Sequence, residues 1–151
     1  MGIFDADLEF SDAQSLASKS SGVATKSTVV VDLTGGASLT DGWGNTITYD
    51  AFEGRKMKVN IQVNTALVGA GAAMLCQVMT KAANASISSG ATELARVTIP
   101  ALSAAGYKVS LGLPAGATQR YLGILMTASG AKLTSSKIDS WLSIDHETPS
   151  K

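Results

Sequence analysis

The chain has 151 residues and a mass of 15.4 kDa, the size of one domain with a single core. Its twelve basic and twelve acidic residues cancel, and charged residues make up only 16% of the chain, so it offers no net field to hold bare nucleic acid or an anionic bilayer. Leu, Ile, Val and Phe supply 35 residues, enough apolar material to argue against intrinsic disorder.

Residues 1–27 are expected to form an N-terminal arm and linker, and residues 28–151 a single β-sandwich domain. Up to Asp12 the arm carries four acidic residues and no basic one, together with apolar Ile3, Phe4, Leu8 and Phe10. Phe4, Leu8 and Phe10 are candidate anchors on a partner surface; the alternative is that the arm covers its own domain. Ser11 and Gln14 have capping-box spacing, so a short helical turn after Ser11 is one reading of this stretch. The start lacks a basic region followed by an apolar one, so a secretory signal is not expected and synthesis in a cytoplasm is. The longest run of small or apolar residues, Ala66 to Cys76, falls short of the roughly 18 residues that suggest a membrane span.

From Thr28 onward the dominant period is two. Met57 to Asn64 alternates without exception, apolar at odd positions and polar at even ones, as a half-buried strand requires. Tyr107 to Leu113 and Ile138 to Asp145 repeat the pattern, and Thr28–Leu33, Asn45–Tyr49, Glu93–Ile99 and Arg120–Thr127 are further strand candidates rich in β-branched or aromatic residues. Glycine and proline pairs such as Gly69-Ala70-Gly71, Pro114-Ala115-Gly116 and Ser129-Gly130 punctuate them. Residues 72–83 fit both periods: Leu75, Val78, Met79 and Ala82 have helical spacing, but a strand agrees better with the surrounding short strands. About eight strands result, which suits an all-β, two-sheet, jelly-roll-like sandwich with an extended N-terminal arm.

Groups that carry chemistry are few. His146 lies near the C-terminal end between Asp145 and Glu147, without a nucleophile elbow elsewhere, and reads as a solvated terminal histidine. Asp139 and Asp145 are separated by about 20 Å at strand rise and cannot share a metal. Cys76 reads as an inert core thiol, and a lone cysteine excludes an internal disulfide. No cofactor, metal or catalytic set is expected, and the chain does not read as an enzyme. Arg55 and Lys56 lie in a basic run that is either a solvated strand edge or a contact to an acidic partner. Trp141 occupies the polar parity of its strand, so it is a candidate for facing a partner subunit instead of the core.

The string Ile3-Phe4-Asp5-Ala6-Asp7-Leu8-Glu9-Phe10-Ser11-Asp12-Ala13-Gln14 resembles the opening of a family of small jelly-roll capsid cement (decoration) proteins of tailed bacteriophages. Arg120-Tyr121-Leu122-Gly123-Ile124, then Ser129-Gly130, then Ser135 to Leu142, are similar to that family's last two strands, and Gly106-Tyr107 and Leu113-Pro114-Ala115-Gly116 also fit. The Ala/Met-rich segment 70–83 and the stretch 39–49 depart from the family's pattern. The resemblance implies a non-enzymatic virion protein on the outer surface of the head. It would bridge major capsid subunits and associate with itself as a dimer or trimer, with no nucleic-acid or membrane partner. The alternative class is a β-sandwich recognition module of a phage tail or fibre; with eight aromatics in the whole chain, it has little material for stacking on sugars.

Overall fold

The computed structural model describes residues 9–33, 38–40, 46–48, 57–82, 87, 89–114 and 119–144. Among them there is no helix. The strands are β1 (Glu9–Ser15), β2 (Ala24–Lys26), β3 (Val31–Asp32), β4 (Ser38–Thr40), β5 (Thr46–Thr48), β6 (Met57–Val68), β7 (Ala73–Lys81), β8 (Thr92–Ile99), β9 (Lys108–Gly112), β10 (Tyr121–Ser129) and β11 (Ser135–Ile144).

Two antiparallel sheets form the body. Sheet A runs β1-β11-β6-β9 and sheet B runs β2-β10-β7-β8, with β3 continuing the pairing of β2 along β10. Setting aside β3 and the separate β4–β5 hairpin, the eight remaining strands follow jelly-roll order: the chain changes sheet at every step except β7 to β8, which are paired neighbours in sheet B.

The core lies between the sheets, where strand alternation sends every second residue. Met57, Val59, Ile61 and Val63 of β6 face Met74, Cys76 and Val78 of β7 and Leu122, Ile124, Met126 and Ala128 of β10, all buried. In β11 the inward parity is Ser136, Ile138, Ser140 and Leu142, as the alternation predicts. Residues 73–81 are a strand: Met74, Cys76, Val78 and Thr80 are buried and the intervening residues half-buried, a period of two that a helix cannot produce. Cys76 is wholly buried opposite Val97 and Met126, and burial pushes its thiol up to about 12, which makes it the inert core group expected.

Residues 9–27 correct the reading of an arm and linker. Glu9–Ser15 is an edge strand of sheet A paired with β11, and Ala24–Lys26 is an edge strand of sheet B paired with β10. Phe10 is 0% exposed in the core and therefore is not an anchor available to a partner. The strand escaped the periodicity because it is bulged. Two register shifts interrupt its pairing with β11, and Ala13 has φ of 43°. The Ser11–Gln14 spacing serves this bulge, not a helix: Ser11 Oγ donates to Gln14 Oε1 at 2.5 Å within the strand. The expected strand at 28–33 is shortened to Val31–Asp32, whereas Asn45–Tyr49 contains β5.

Candidate functional site

The outer face of sheet A is a polar surface cross-linked by side-chain hydrogen bonds. Outward parity on four strands brings together Glu9 of β1, Trp141, Ser143 and Asp139 of β11, Lys58, Asn60, Gln62 and Asn64 of β6, and Lys108 and Ser110 of β9. Trp141 is half-buried, opposite Glu9 on one side and Asn60 on the other. Its outward position agrees with its parity in the sequence.

Side chains on this face hold one another in place. Asn60 Nδ2 donates to Ser143 Oγ at 2.8 Å and Asn60 Oδ1 accepts from Ser110 Oγ at 2.6 Å, so one amide links β11, β6 and β9. Asp139 joins three strands in the same way. Its Oδ1 accepts the Ala13 backbone N–H at 2.6 Å, inside the β1 bulge, and its Oδ2 accepts from Asn64 Nδ2 at 3.0 Å. Lys108 Nζ stands 4.9 Å from the centroid of the Trp141 ring, a cation–π contact that spans the width of β6. The result is an amide- and hydroxyl-rich surface around one aromatic ring held under a lysine. It can bury a partner with a low ordering cost, because its rotamers are already set.

The outer face of sheet B differs. Leu75 and Met79 are half-buried there and Leu125 is buried, while Ile87 packs over Gly123 so closely that a Cβ at position 123 would lie 2.4 Å from Ile87 Cδ1. Two ion pairs flank this apolar strip. Glu93 meets Arg96 at 2.6 Å and also accepts from Gln77 Nε2; the Gln77 hydrogen bond, then Arg96, holds its carboxyl below the ordinary value against a desolvation that opposes it. Arg120 makes a two-pronged contact with Asp32, closest at 2.8 Å, and lies over the Tyr121 ring. The hydrogen bond it donates to Asp32 pushes the guanidinium further up from an already high value.

Of the residues singled out in the sequence, the structure places Trp141 on the outer face of sheet A and Phe10 in the core. Phe4, Leu8, Arg55, Lys56, Asp145, His146 and Glu147 lie outside the described residues. Asn60 and Lys108 were not legible as site residues: each acts on a strand far away in sequence, so no local pattern marks them. Among the described residues no three His, Cys, Asp or Glu side chains are grouped to hold a metal ion, and no helix is long and apolar enough to cross a membrane. No protein-family model matches the chain, and no curated protein matches it.

Proposed function

We propose that the chain is a capsid cement protein of a tailed bacteriophage, made in the host cytoplasm and bound to the outer surface of the head. There it bridges major capsid subunits and stabilises the shell as a dimer or trimer, and it performs no catalysis. One observation carries the reading. The string that resembles the opening of the cement family, Ile3 to Gln14, runs into β1, and β1 is the first strand of a jelly-roll sandwich, the fold that the resemblance implies.

The surface chemistry supports it. A shell-binding protein needs a rigid body and many modest contacts instead of a cleft, and the interlocked face around Trp141 supplies such a surface. The recognition-module reading draws less support, because Lys108 already occupies a face of the Trp141 ring on which a sugar would stack.

Purified heads test the proposal. Expanded heads incubated with the chain are expected to retain many copies per particle after sedimentation, and to resist heat better than bare heads. Removing residues 1–8, which stops short of β1 and Phe10, is expected to preserve the fold and reduce head occupancy. A chain that fails to sediment with expanded heads, or is found in a few copies at the tail, overturns the cement assignment.

A further inference from the structure

Four connections close one end of the sandwich: residues 16–23 between β1 and β2, 69–72 between β6 and β7, 100–107 between β8 and β9, and 130–134 between β10 and β11. They are tied to the strand ends and to one another. Ser18 N donates to Leu133 O at 2.8 Å, Gly22 N to Ala128 O at 2.8 Å, Thr134 N to Val68 O at 2.7 Å and Leu67 N to Ser103 O at 3.0 Å. Gly69 sits so close to the neighbouring connection that a Cβ there would lie 2.5 Å from Lys132 O. This end is a built surface.

Its composition is one-sided. The four connections contain no Asp or Glu, while Lys19 and Lys132 are both exposed. Val23, Val68, Leu102 and Tyr107, four of the five large hydrophobic residues exposed among those described, stand at this end. Leu102 combines two unfavourable features, a left-handed φ of 61° and 71% exposure, and the turn is held by Ser103, whose Oγ donates to Pro100 O at 2.8 Å. A leucine held in that conformation with its side chain in water is the mark of a contact residue without its partner.

The complementary chemistry is in the same chain. Residues 1–8 carry Ile3, Phe4 and Leu8 with Asp5 and Asp7, and no basic residue. We propose that residues 1–8 of one copy dock on this basic, apolar end of a second copy, with Phe4 against Leu102 and Val68 and the carboxylates toward Lys19 and Lys132. The inference deepens the arm-docking part of the cement reading by naming the surface that receives the arm.

Reach decides that the contact is between copies. Glu9 pairs with Trp141 and Ser15 with Lys137, so β1 rises toward the closed end and residues 1–8 join it at its far end. Trp141, the partner of Glu9, is six residue steps of β11 from Ser135, the partner of Val68 at the closed end, about 20 Å. Phe4 is five residues from Glu9, at most about 18 Å of extended chain, and within its own copy it would first have to reverse direction. Each copy therefore gives an arm and receives one, a head-to-tail contact that closes into a ring when the rotation between copies permits.

Full-length chains with single substitutions test this in solution, without shells, so failure here is distinct from failure of head binding. Chains carrying Phe4→Cys are mixed with chains carrying Leu102→Cys and treated with a short bis-maleimide; buried Cys76 stays silent. A crosslinked pair is expected. Lys19→Glu with Lys132→Glu in the receiving chain is expected to lower the yield by roughly fivefold, as two exposed charge pairs would give. Thr98→Cys, on the outer face of sheet B, is expected to give no pair with Phe4→Cys. Absence of the crosslinked pair, equal yield at Thr98→Cys, yield indifferent to the charge reversals, or a crosslink within single chains carrying both Phe4→Cys and Leu102→Cys overturns the proposal.

Discussion

The two edges of the sandwich are held in opposite ways. At the β8–β9 edge the backbone ladder does the work: β9 pairs with β6 without interruption and β8 pairs with β7 through a single shift at Leu94. At the β1–β2 edge the ladder is broken twice, and side chains replace it. Gln14 Nε2 donates to Lys26 O at 2.8 Å and Gln14 Oε1 accepts Thr28 N–H at 3.2 Å, so one amide fastens sheet A to sheet B. Val29 N donates to Phe10 O at 2.9 Å across the same gap, and Asp139 closes the bulge from the neighbouring strand. A segment that looks like a linker by its composition can thus be a closure, because a bulged edge trades backbone pairing for specific side-chain bonds and also resists unwanted strand addition.

Substitutions at the two edges set this contrast against measurement. The largest effect is expected from Phe10→Ala, about 3–5 kcal/mol of lost stability in urea unfolding, the cost of emptying a fully buried aromatic site; a loss under about 1 kcal/mol would return β1 to the status of a peripheral arm. Alkaline pH comes next. Because the folded Cys76 thiol titrates near 12 and the unfolded one near 9, its contribution is fully present below pH 9. That contribution is lost at about 1.4 kcal/mol per pH unit as pH rises toward 12. Cys76 lies one strand inside the β8 edge, so its labelling at neutral pH is expected to follow global unfolding; faster labelling would show that β8 opens alone. Gln14→Ala is expected to cost about 1–2 kcal/mol by leaving its backbone partners at the sheet junction without their bonds. Arg96→Ala on β8 is expected to cost under about 0.5 kcal/mol, since it removes only an exposed ion pair while Gln77 still binds Glu93. Equal effects at Gln14 and Arg96 would erase the distinction between the edges.

How far the fold could be read locally depended on what lies outside each strand. β6 has solvent-facing Lys58, Gln62 and Asn64 opposite its core residues, so its alternation is plain. β7 is ambiguous because its outward residues Leu75 and Met79 are also apolar, on a face where Leu125 is buried and Ile87 packs over Gly123. With both faces partly covered, the polar half of the period disappears. β1 was missed for a different reason: its bulges move Phe10 and Ser11 both inward, which no strict alternation describes.

The outer-face site divides in the same way. Trp141 was legible because parity along one strand decides which side a residue faces, and that is a local property. Lys108, Asn60 and Ser110 became its neighbours only through the strand order β11-β6-β9, which brings together residues up to 87 positions apart along the chain.

Taken alone, the sequence determined the all-β class, the strand status of most segments, the inert cysteine and the outward face of Trp141. All of these follow from residue type and a period of two. The tertiary structure alone decided that residues 9–27 close the sandwich, that Gln14 and Asp139 replace broken backbone pairing, and that Lys19, Lys132, Val68 and Leu102 share one end. Such facts depend on which strands become neighbours, and neighbour choice is settled by burying all the inward faces at once.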